Sequence, residues 1–323
     1  MVEETFRETI QTYSLLDKKD KIILGVSGGP DSICMLYLFS KIINEYKLKI
    51  LCAHFNHSLR KEADSEEAFV KKICKDLGIK FISEKKEIYK LFKGNSLEQF
   101  ARNLRLDFFI RCARKFKIKK VALAHHKDDV IETVLMRIIR GSGLKGLRGI
   151  LPISKFKGIT FIRPLINLRK TEILNWLKIN DISYCIDKTN FEEKFFRNKI
   201  RLKLLPLLEE FNPNITNTIF NLAKTSALDY ELIYTITKEK FALLKKQKTA
   251  NYIQLDLEEI KKMPLALLFN IILLVIEELK KDTRKLEFRH LEEIFKLVHN
   301  KSNLSKIYLP DLEIIKEDNW LII

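Results

Sequence analysis

The feature that most limits what this chain can fold into is a glycine-bearing turn between a strand-like run and a helix-like run. Lys21–Val26 (KIILGV) is short and apolar, Ser27-Gly28-Gly29-Pro30-Asp31-Ser32 follows, and Asp31–Tyr46 then carries apolar residues at helical spacing. A strand that turns tightly into a helix is the first step of a βα unit. The pattern repeats. Lys49–Phe55 (KILCAHF) reads as a second strand, and Ala63–Leu77, closed by Gly78, as a second helix. Lys80–Ser83 reads as a third strand. Ser96–Phe116 reads as a long helix, with Ser96 as N-cap and Gln99 three residues on. Lys120–Ala124 reads as a fourth strand, Asp128–Arg140 as a helix stopped by Gly141, and Ile159–Ile162 as a fifth strand stopped by Pro164. This order predicts an α/β fold, with a parallel, doubly wound sheet covered by helices on both faces.

The second half changes character. Phe195 to about Leu244 reads as nearly continuous helix interrupted at Pro206 and at Asn212-Pro213, and Pro264–Lys280 and Leu286–Asn300 read as two further amphipathic helices. Short strands follow at Lys306–Leu309, Leu312–Lys316 and Trp320–Ile323. A length of 323 residues suits two domains. The expected division is residues 1–211, holding the α/β sheet, and 212–323, mainly helical with a few short strands.

Charge and cysteine usage narrow the function. There are 59 Lys and Arg against 42 Asp and Glu, a formal excess of +17. On a chain that is 46% hydrophobic, that excess points to a polyanionic partner, nucleic acid above all, or to a lysine-rich proteome. Cys34, Cys52, Cys74, Cys112 and Cys185 are scattered and form no CxxC pair, which speaks against a disulfide scaffold or a cysteine-ligated metal. The N-terminal MVEETFRETI has neither the basic start nor the apolar core of a signal peptide. The apolar stretch Pro264–Ile276 is broken by Asn270 and is short for a membrane span. A cytoplasmic protein with no membrane association is the expectation.

The turn itself has a chemistry. Gly28 and Gly29 let the backbone approach a ligand closely. Its N–H groups and the following helix N-terminus suit phosphate oxygens, and Ser27 and Ser32 add hydroxyls. Asp31 does not suit bare phosphate and is better explained as a carboxylate for Mg²⁺. No Lys follows Gly in a GK[ST] pattern, so the loop is not a Walker A motif. An ordinary turn with Asp31 near the N-cap is the plain alternative. SGGxDS directly after a first strand resembles the pyrophosphate loop of the N-type ATP pyrophosphatases. That resemblance implies a Rossmann-like sheet of the adenine nucleotide α-hydrolase type.

Three further segments resemble one family in that group, the tRNA(Ile)-lysidine synthetases. Ala53-His54-Phe55-Asn56-His57-Ser58-Leu59-Arg60 is similar to the family's HxxHxLR segment, and Ala124-His125-His126-Lys127-Asp128-Asp129-Val130-Ile131-Glu132-Thr133 to its AHHxDDxxET segment. Asp187-Lys188-Thr189-Asn190, then Arg197-Asn198-Lys199-Ile200-Arg201 and Leu205-Pro206, is similar to its DxTN…RNxIR…LP stretch. Leu97-Glu98, Ala101-Arg102, Arg105 and Arg163-Pro164-Leu165 fall in order between them, so the likeness runs from about residue 15 to about 215.

The resemblance implies a reaction and assigns roles. ATP with Mg²⁺ would sit in Ser27, Gly28, Gly29, Pro30, Asp31 and Ser32, with Ala53, His54 and His125 completing the nucleotide site. Free L-lysine would be held by Asp129, Glu132 and Arg197, which with Asp31 form the catalytic set. The wobble cytidine of a CAU-anticodon tRNA(Ile) would be adenylated at C2, and the lysine amine would displace AMP to give lysidine, changing codon reading from AUG to AUA.

The residues have readings of their own. Asp129 and Glu132 share a helix face and suit an ammonium group, or they merely charge a first helical turn favourably. Arg197 offers a fork for a carboxylate. Asp128 can be metal ligand or cap, and His54 and His57 can be hydrogen-bonded loop histidines. His125, His126 and Asp128 are all candidates for a general base. Arg102, Arg105, Arg140, Lys145, Arg148 and Arg201 are candidate tRNA contacts. Several of these lie on or beside the glycine-rich stretch Gly141–Gly149, whose glycines suggest a mobile loop. A homodimer is left open. Other readings are a thiolase of the same fold, a non-catalytic tRNA-binding protein, and a small-molecule amidotransferase-type synthetase. The missing cysteine pairs argue against the first, and the intact loop with Asp129, Glu132 and Arg197 against the second. The third lacks a catalytic Cys after Met1.

Overall fold

The computed structural model describes residues 1–323 apart from 59–61, 89–91, 93–96, 187–195, 250, 281–285, 303 and 311, and apart from the side chain of Glu98. The described chain divides into two compact units, Met1–Thr225 and Ser226–Ile323. The expected division at residue 212 falls just before the long helix that holds this junction.

The first unit opens with α1 (Val2–Thr12), then β1 (Lys21–Gly25), α2 (Pro30–Tyr46), β2 (Lys49–Asn56), α3 (Ala63–Asp76), β3 (Lys80–Lys85), α4 (Leu97–Lys115), β4 (Lys120–Leu123) and α5 (Lys127–Ile139). A single helical turn α6 (Leu144–Leu147), the hairpin β5 (Ile153–Phe156) and β6 (Ile159–Ile162), and α7 (Lys170–Ile179) come next. After α8 (Phe196–Lys199) a π-helical turn, Ile200–Leu204, leads into α9 (Leu205–Phe211) and the 30-residue α10 (Ile215–Leu244).

The sheet order is β3-β2-β1-β4-β6-β5, parallel except for the antiparallel edge strand β5. Alternation in β1 shows how both faces are covered. Ile22 and Leu24 point into a core with Phe6 and Ile10 of α1, Phe39 of α2 and Leu177 of α7. Ile23 points the other way, into a core with Phe108 and Phe109 of α4. All three β1 residues are fully buried. The doubly wound parallel sheet is as expected. Not expected were α1, α6, α7 and β5, which pairs with β6 in a hairpin that turns through Lys157 and Gly158 with φ +49° and +80°. Two consecutive positive φ values match the tight turn that joins right-twisted strands.

The second unit contains the end of α10, β7 (Lys245–Lys248), β8 (Ile253–Asp256), α11 (Leu257–Lys261), α12 (Leu265–Lys280), α13 (Phe288–His299), β9 (Leu304–Leu309), β10 (Leu312–Glu317) and β11 (Trp320–Ile322). Its five strands form an antiparallel sheet, β7-β8-β11-β10-β9. The helices supply most of one core, in which Ile271 and Val275 of α12 meet Ile294 and Val298 of α13 and Ile314 of β10. The unit is mainly helical with antiparallel strands, more fully sheeted than its sequence suggests. No helix among the described residues is long and apolar enough to cross a membrane.

Candidate active site

β1 and β4 are neighbours, and the chain leaves them toward opposite flanks of the sheet: β2 and β3 lie on one side, β6 and β5 on the other. Open α/β sheets bind ligands at such a switch point, beyond the carboxyl ends of the strands. Here the loop after β1 and the loop after β4 meet.

The first loop is built from backbone and hydroxyls. Gly28 has φ +95°, a conformation costly to any residue with a Cβ. Ser32 Oγ accepts from the N–H groups of Ser27 and Gly28 at 3.1 and 3.2 Å and donates to the Gly29 carbonyl at 2.9 Å. The Cys185 N–H donates to the Gly28 carbonyl at 3.0 Å. Pro30 starts α2, where its missing N–H costs nothing and its fixed φ suits the helix. The loop is thus folded on itself around one buried hydroxyl. His54, at the end of β2, hydrogen-bonds through Nδ1 to the Val26 carbonyl at 2.9 Å, and burial lowers its pKa. Ala53 is buried beneath it.

The second loop is built from charge. His126 caps α5 and is almost wholly enclosed among carboxylates: Asp128 at 3.5 Å, Asp129 at 3.6 Å and Asp31 at 3.8 Å. Burial opposes its protonation, but the three carboxylates outweigh burial and raise its pKa. His125, next in the chain, is driven the other way. Burial, reinforced by Arg163, Arg102 and Arg105 against a weaker pull from Asp129, lowers it to about 3. Its Nδ1 is buried with no hydrogen-bond partner among the described residues. Adjacent histidines are therefore pushed in opposite directions.

The acids are sorted as well. Asp128 is brought down to about 2 because hydrogen bonds from His126 and the Lys170 N–H, with Arg169 alongside, exceed the cost of burial. The Lys170 N–H lies 2.7 Å and Arg169 Nε 2.8 Å from it. Asp129 accepts the His126 N–H at 3.0 Å and faces Arg197 at 4.0 Å. It too is lowered, since both histidines, that N–H and Arg197 overcome burial. Glu132 has no exposed surface and its pKa is raised by burial. Arg201 meets both of its oxygens, at 2.6 and 3.1 Å, and Arg197 stands 3.6 Å away. Arg197 also reaches Thr133 Oγ1 at 3.3 Å.

Comparison with known proteins gives the chain a family. Residues 2–208 match the family model described as a PP-loop domain. A tRNA(Ile)-lysidine synthase of Clostridioides difficile is 34% identical over 96% of this chain and 67% of its own length. That of Caldanaerobacter subterraneus subsp. tengcongensis is 36% identical over 100% of this chain and 69% of its own length. That of Petrotoga mobilis is 40% identical over 69% of this chain and 71% of its own length. The chain belongs to the tRNA(Ile)-lysidine synthase family. Among solved structures, the U34-tRNA thiolase NcsA of Methanococcus maripaludis shares the fold, with a TM-score of 0.58 at 21% identity over 69% of this chain and 78% of that one.

For this lysidine synthase family member, an ATP-dependent tRNA-modifying ligase by kinship, the structure brings Asp31, His125, Asp129, Glu132 and Arg197 to one rim. Arg201, read from sequence as a tRNA contact, pairs with Glu132. Arg102 and Arg105 of α4 act electrostatically on His125, so they border the same rim. The Gly141–Gly149 stretch is more fixed than its glycines suggest. Arg137 donates to the carbonyls of Gly146 and Gly149 at 2.6 and 2.9 Å, and Gly149 sits where a Cβ would meet Val130 at 2.9 Å. Arg148 Nε donates to the Lys145 carbonyl at 3.0 Å within it. Arg140, at its start, lies over the Phe196 ring at 5.5 Å. Arg60 and Asp187–Asn190 of the matched segments lie outside the described residues. Sequence reasoning gave no role to Lys170 and Arg169, which open α7 and reach Asp31 and Asp128. Their partners are 139 and about 40 residues away, so no local pattern announces them.

Proposed function

We propose that this protein ligates L-lysine to C2 of the wobble cytidine in a CAU-anticodon tRNA(Ile), using ATP. Support comes from one observation above all: a phosphate-type loop and a carboxylate–guanidinium cluster face each other across 3.8 Å, between Asp31 and His126, at adjacent strand ends. One loop suits a triphosphate, the other an amino acid.

ATP would lie with its phosphates against Ser27–Ser32 and the α2 N-terminus, and its adenosine toward Ala53, His54 and His125. Neutral His125, with its unpartnered Nδ1, suits a hydrogen bond to a neutral nucleoside group. No cluster of three or more His, Cys, Asp or Glu among the described residues is placed to hold a metal. That fits Mg²⁺ arriving on ATP, since this ion favours phosphate oxygens and water with one or two carboxylates. Asp31 is the carboxylate available to it, and the ion would supply charge neutralisation at the phosphates.

The C2 oxygen of the cytidine attacks the α-phosphorus, and pyrophosphate leaves. The ε-amine of lysine then attacks C2, the C2–O bond breaks, AMP departs with that oxygen, and the amine loses a proton. Adenylation turns a poor leaving oxygen into a good one, so placement and charge are what the protein supplies. Asp129 and Arg197 are open enough to hold lysine by its charged groups, whereas Glu132 acts through them by fixing Arg197 and Arg201. Arg102 and Arg105 border the site, and with Arg140, Lys145, Arg148 and Arg201 they would offer positive charge suited to an RNA backbone. The setting is the cytoplasm, and a homodimer is compatible with this reading.

The test uses purified protein, ATP, Mg²⁺, radiolabelled lysine and a CAU-anticodon tRNA(Ile) transcript, with elongator tRNA(Met) as control. Label in the isoleucine transcript alone is the expected result. Pyrophosphate release without lysine incorporation would replace lysine by another nucleophile.

A further inference from the structure

The pyrophosphate-type loop has no cation of its own, since no Lys follows its glycines. A triphosphate placed there meets two hydroxyls, backbone N–H groups and a carboxylate, Asp31. The structure brings a cation from elsewhere. Lys170, first residue of α7, places Nζ 2.6 Å from Asp31 Oδ1, and both side chains are partly open, at 35% and 27% exposed. Its main chain is anchored separately: Asp128 Oδ2 accepts the Lys170 N–H at 2.7 Å. The neighbouring Arg169 is held at three points, by Glu172 at its N–H (2.6 Å), by Thr216 at its guanidinium (2.7 Å) and by Asp128 at 2.8 Å. The backbone of Lys170 is fixed, while among the described residues its ammonium end pairs with Asp31 alone, an exchangeable ion-pair partner. Exposed pairs of this kind are weak, and a four-carbon stem lets the ammonium move by several ångströms without moving α7.

We infer that Lys170 is the phosphate-contacting cation of this loop, held on Asp31 until ATP arrives and then transferred to the β- and γ-phosphates, where it stays with the departing pyrophosphate. Asp128 is the positioning residue that sets it there. No bond is made or broken by Lys170, and no proton moves; it exchanges one anion for another. The inference rests on the ATP reading above and adds to it a residue and the part of the nucleotide it touches.

Calorimetric titration of the full chain with inorganic pyrophosphate, with ATP and with AMP, each with Mg²⁺, separates the possibilities. Lys170→Ala is expected to weaken pyrophosphate and ATP about 10–100-fold, the range for a lost charged hydrogen bond. AMP, which lacks the β- and γ-phosphates, should change less than about twofold on the same reasoning. Lys170→Arg should recover most of the loss. Asp128→Asn should weaken pyrophosphate in the same direction with AMP unaffected. A merely structural pairing makes the opposite forecast, because Lys170 would then serve only to neutralise Asp31. In that case Asp31→Asn in the Lys170→Ala background would restore pyrophosphate binding, and that result overturns the inference. Unchanged pyrophosphate affinity in a folded Lys170→Ala protein, its thermal midpoint matching the parent, overturns it equally. If the parent protein binds neither ATP nor pyrophosphate, the ATP reading itself falls, and this inference with it.

Discussion

The two turns that meet at the switch point are built on opposite plans. The turn after β1 is made of glycine, proline and serine, and its order comes from short-range hydrogen bonds around Ser32 Oγ. The turn after β4 is made of histidine and aspartate, and its order comes from partners far off in sequence: Arg169 and Lys170 on α7, Arg197 and Arg201 beyond. A backbone-built site costs little desolvation and presents dipoles. A charge-built site is held only while every ion keeps its counter-ion. One is suited to receiving a polyanion, the other to a small zwitterion.

Substitutions sharpen the contrast. The largest effect should be at the charged turn. Asp129→Ala and Arg197→Ala should each cut lysine incorporation by ~100–1,000-fold, the scale for losing one preorganised charge contact. Pyrophosphate binding should stay within a few fold, since the other turn is intact; loss of both together would erase the distinction. Glu132→Gln comes next, read by thermal denaturation. It strands two guanidiniums, at a cost of about 2–3 kcal/mol, below the ~3–5 kcal/mol of a fully buried pair because Arg201 is 36% exposed. Gly28→Ala should cost about 1–3 kcal/mol for a Cβ at positive φ, and should weaken pyrophosphate while sparing lysine. Ser32→Ala removes one hydroxyl that serves two N–H groups, about 1–3 kcal/mol, with the same selectivity.

The smallest effect is on pH dependence, and here the neighbouring histidines act with opposite sign. His125 is neutral in the folded protein down to about 3, whereas an unfolded histidine takes its proton near 6.5. The folded state therefore loses stability as pH falls from about 6.5 toward 3. His126, raised by its carboxylates, contributes stability that is full below 6.5 and lost as pH rises through its folded value. Asp128 contributes above about 4 and loses its part as pH falls toward about 2. His125→Gln should flatten the thermal midpoint between pH 6.5 and 4, and His126→Gln should remove the loss of stability that His126 brings as pH rises above 6.5. Equal profiles for both variants would mean that the charged turn does not sort its protons.

Legibility followed the same divide. The parallel strands announced themselves because each is a continuous apolar run between turn residues, as buried strands must be. The Gly28 turn was legible because its backbone takes φ +95°, and glycine marks such backbone. His125, Asp129, Glu132 and Arg197 were found through motif order, but their division of labour was not, because it depends on burial: Glu132 is enclosed, and no residue type declares that. Lys170 carried no signal, since a lysine at a helix start is ordinary until Asp31 stands beside it. Two omissions did have signals. Val2, Phe6 and Ile10 of α1 recur at a spacing of four and are buried, and Ile173, Trp176 and Leu177 mark the inner face of α7. In both helices polar neighbours dilute the apolar spacing. How Gly141–Gly149 is seated was not legible either: Gly149 lies close against Val130, and Arg137 donates to the Gly146 and Gly149 carbonyls, both contacts made outside the glycine pattern.

The π-helical turn at Ile200–Leu204 works as a gear with one extra tooth. It holds one residue more than an α-helical path would need, between Arg197, aimed at Asp129, and Leu205, seated in the core with Val130 and Val134. Were the same residues drawn into a regular α-helix, the extra one would no longer be absorbed, and Arg197 would swing by roughly 100° relative to Leu205, one residue's share of an α-helical turn. Every side chain of the site would survive in the sequence, yet its guanidinium would point elsewhere. A change that only tightens the backbone of this turn would therefore silence the amino-acid side of the site and leave the phosphate side running.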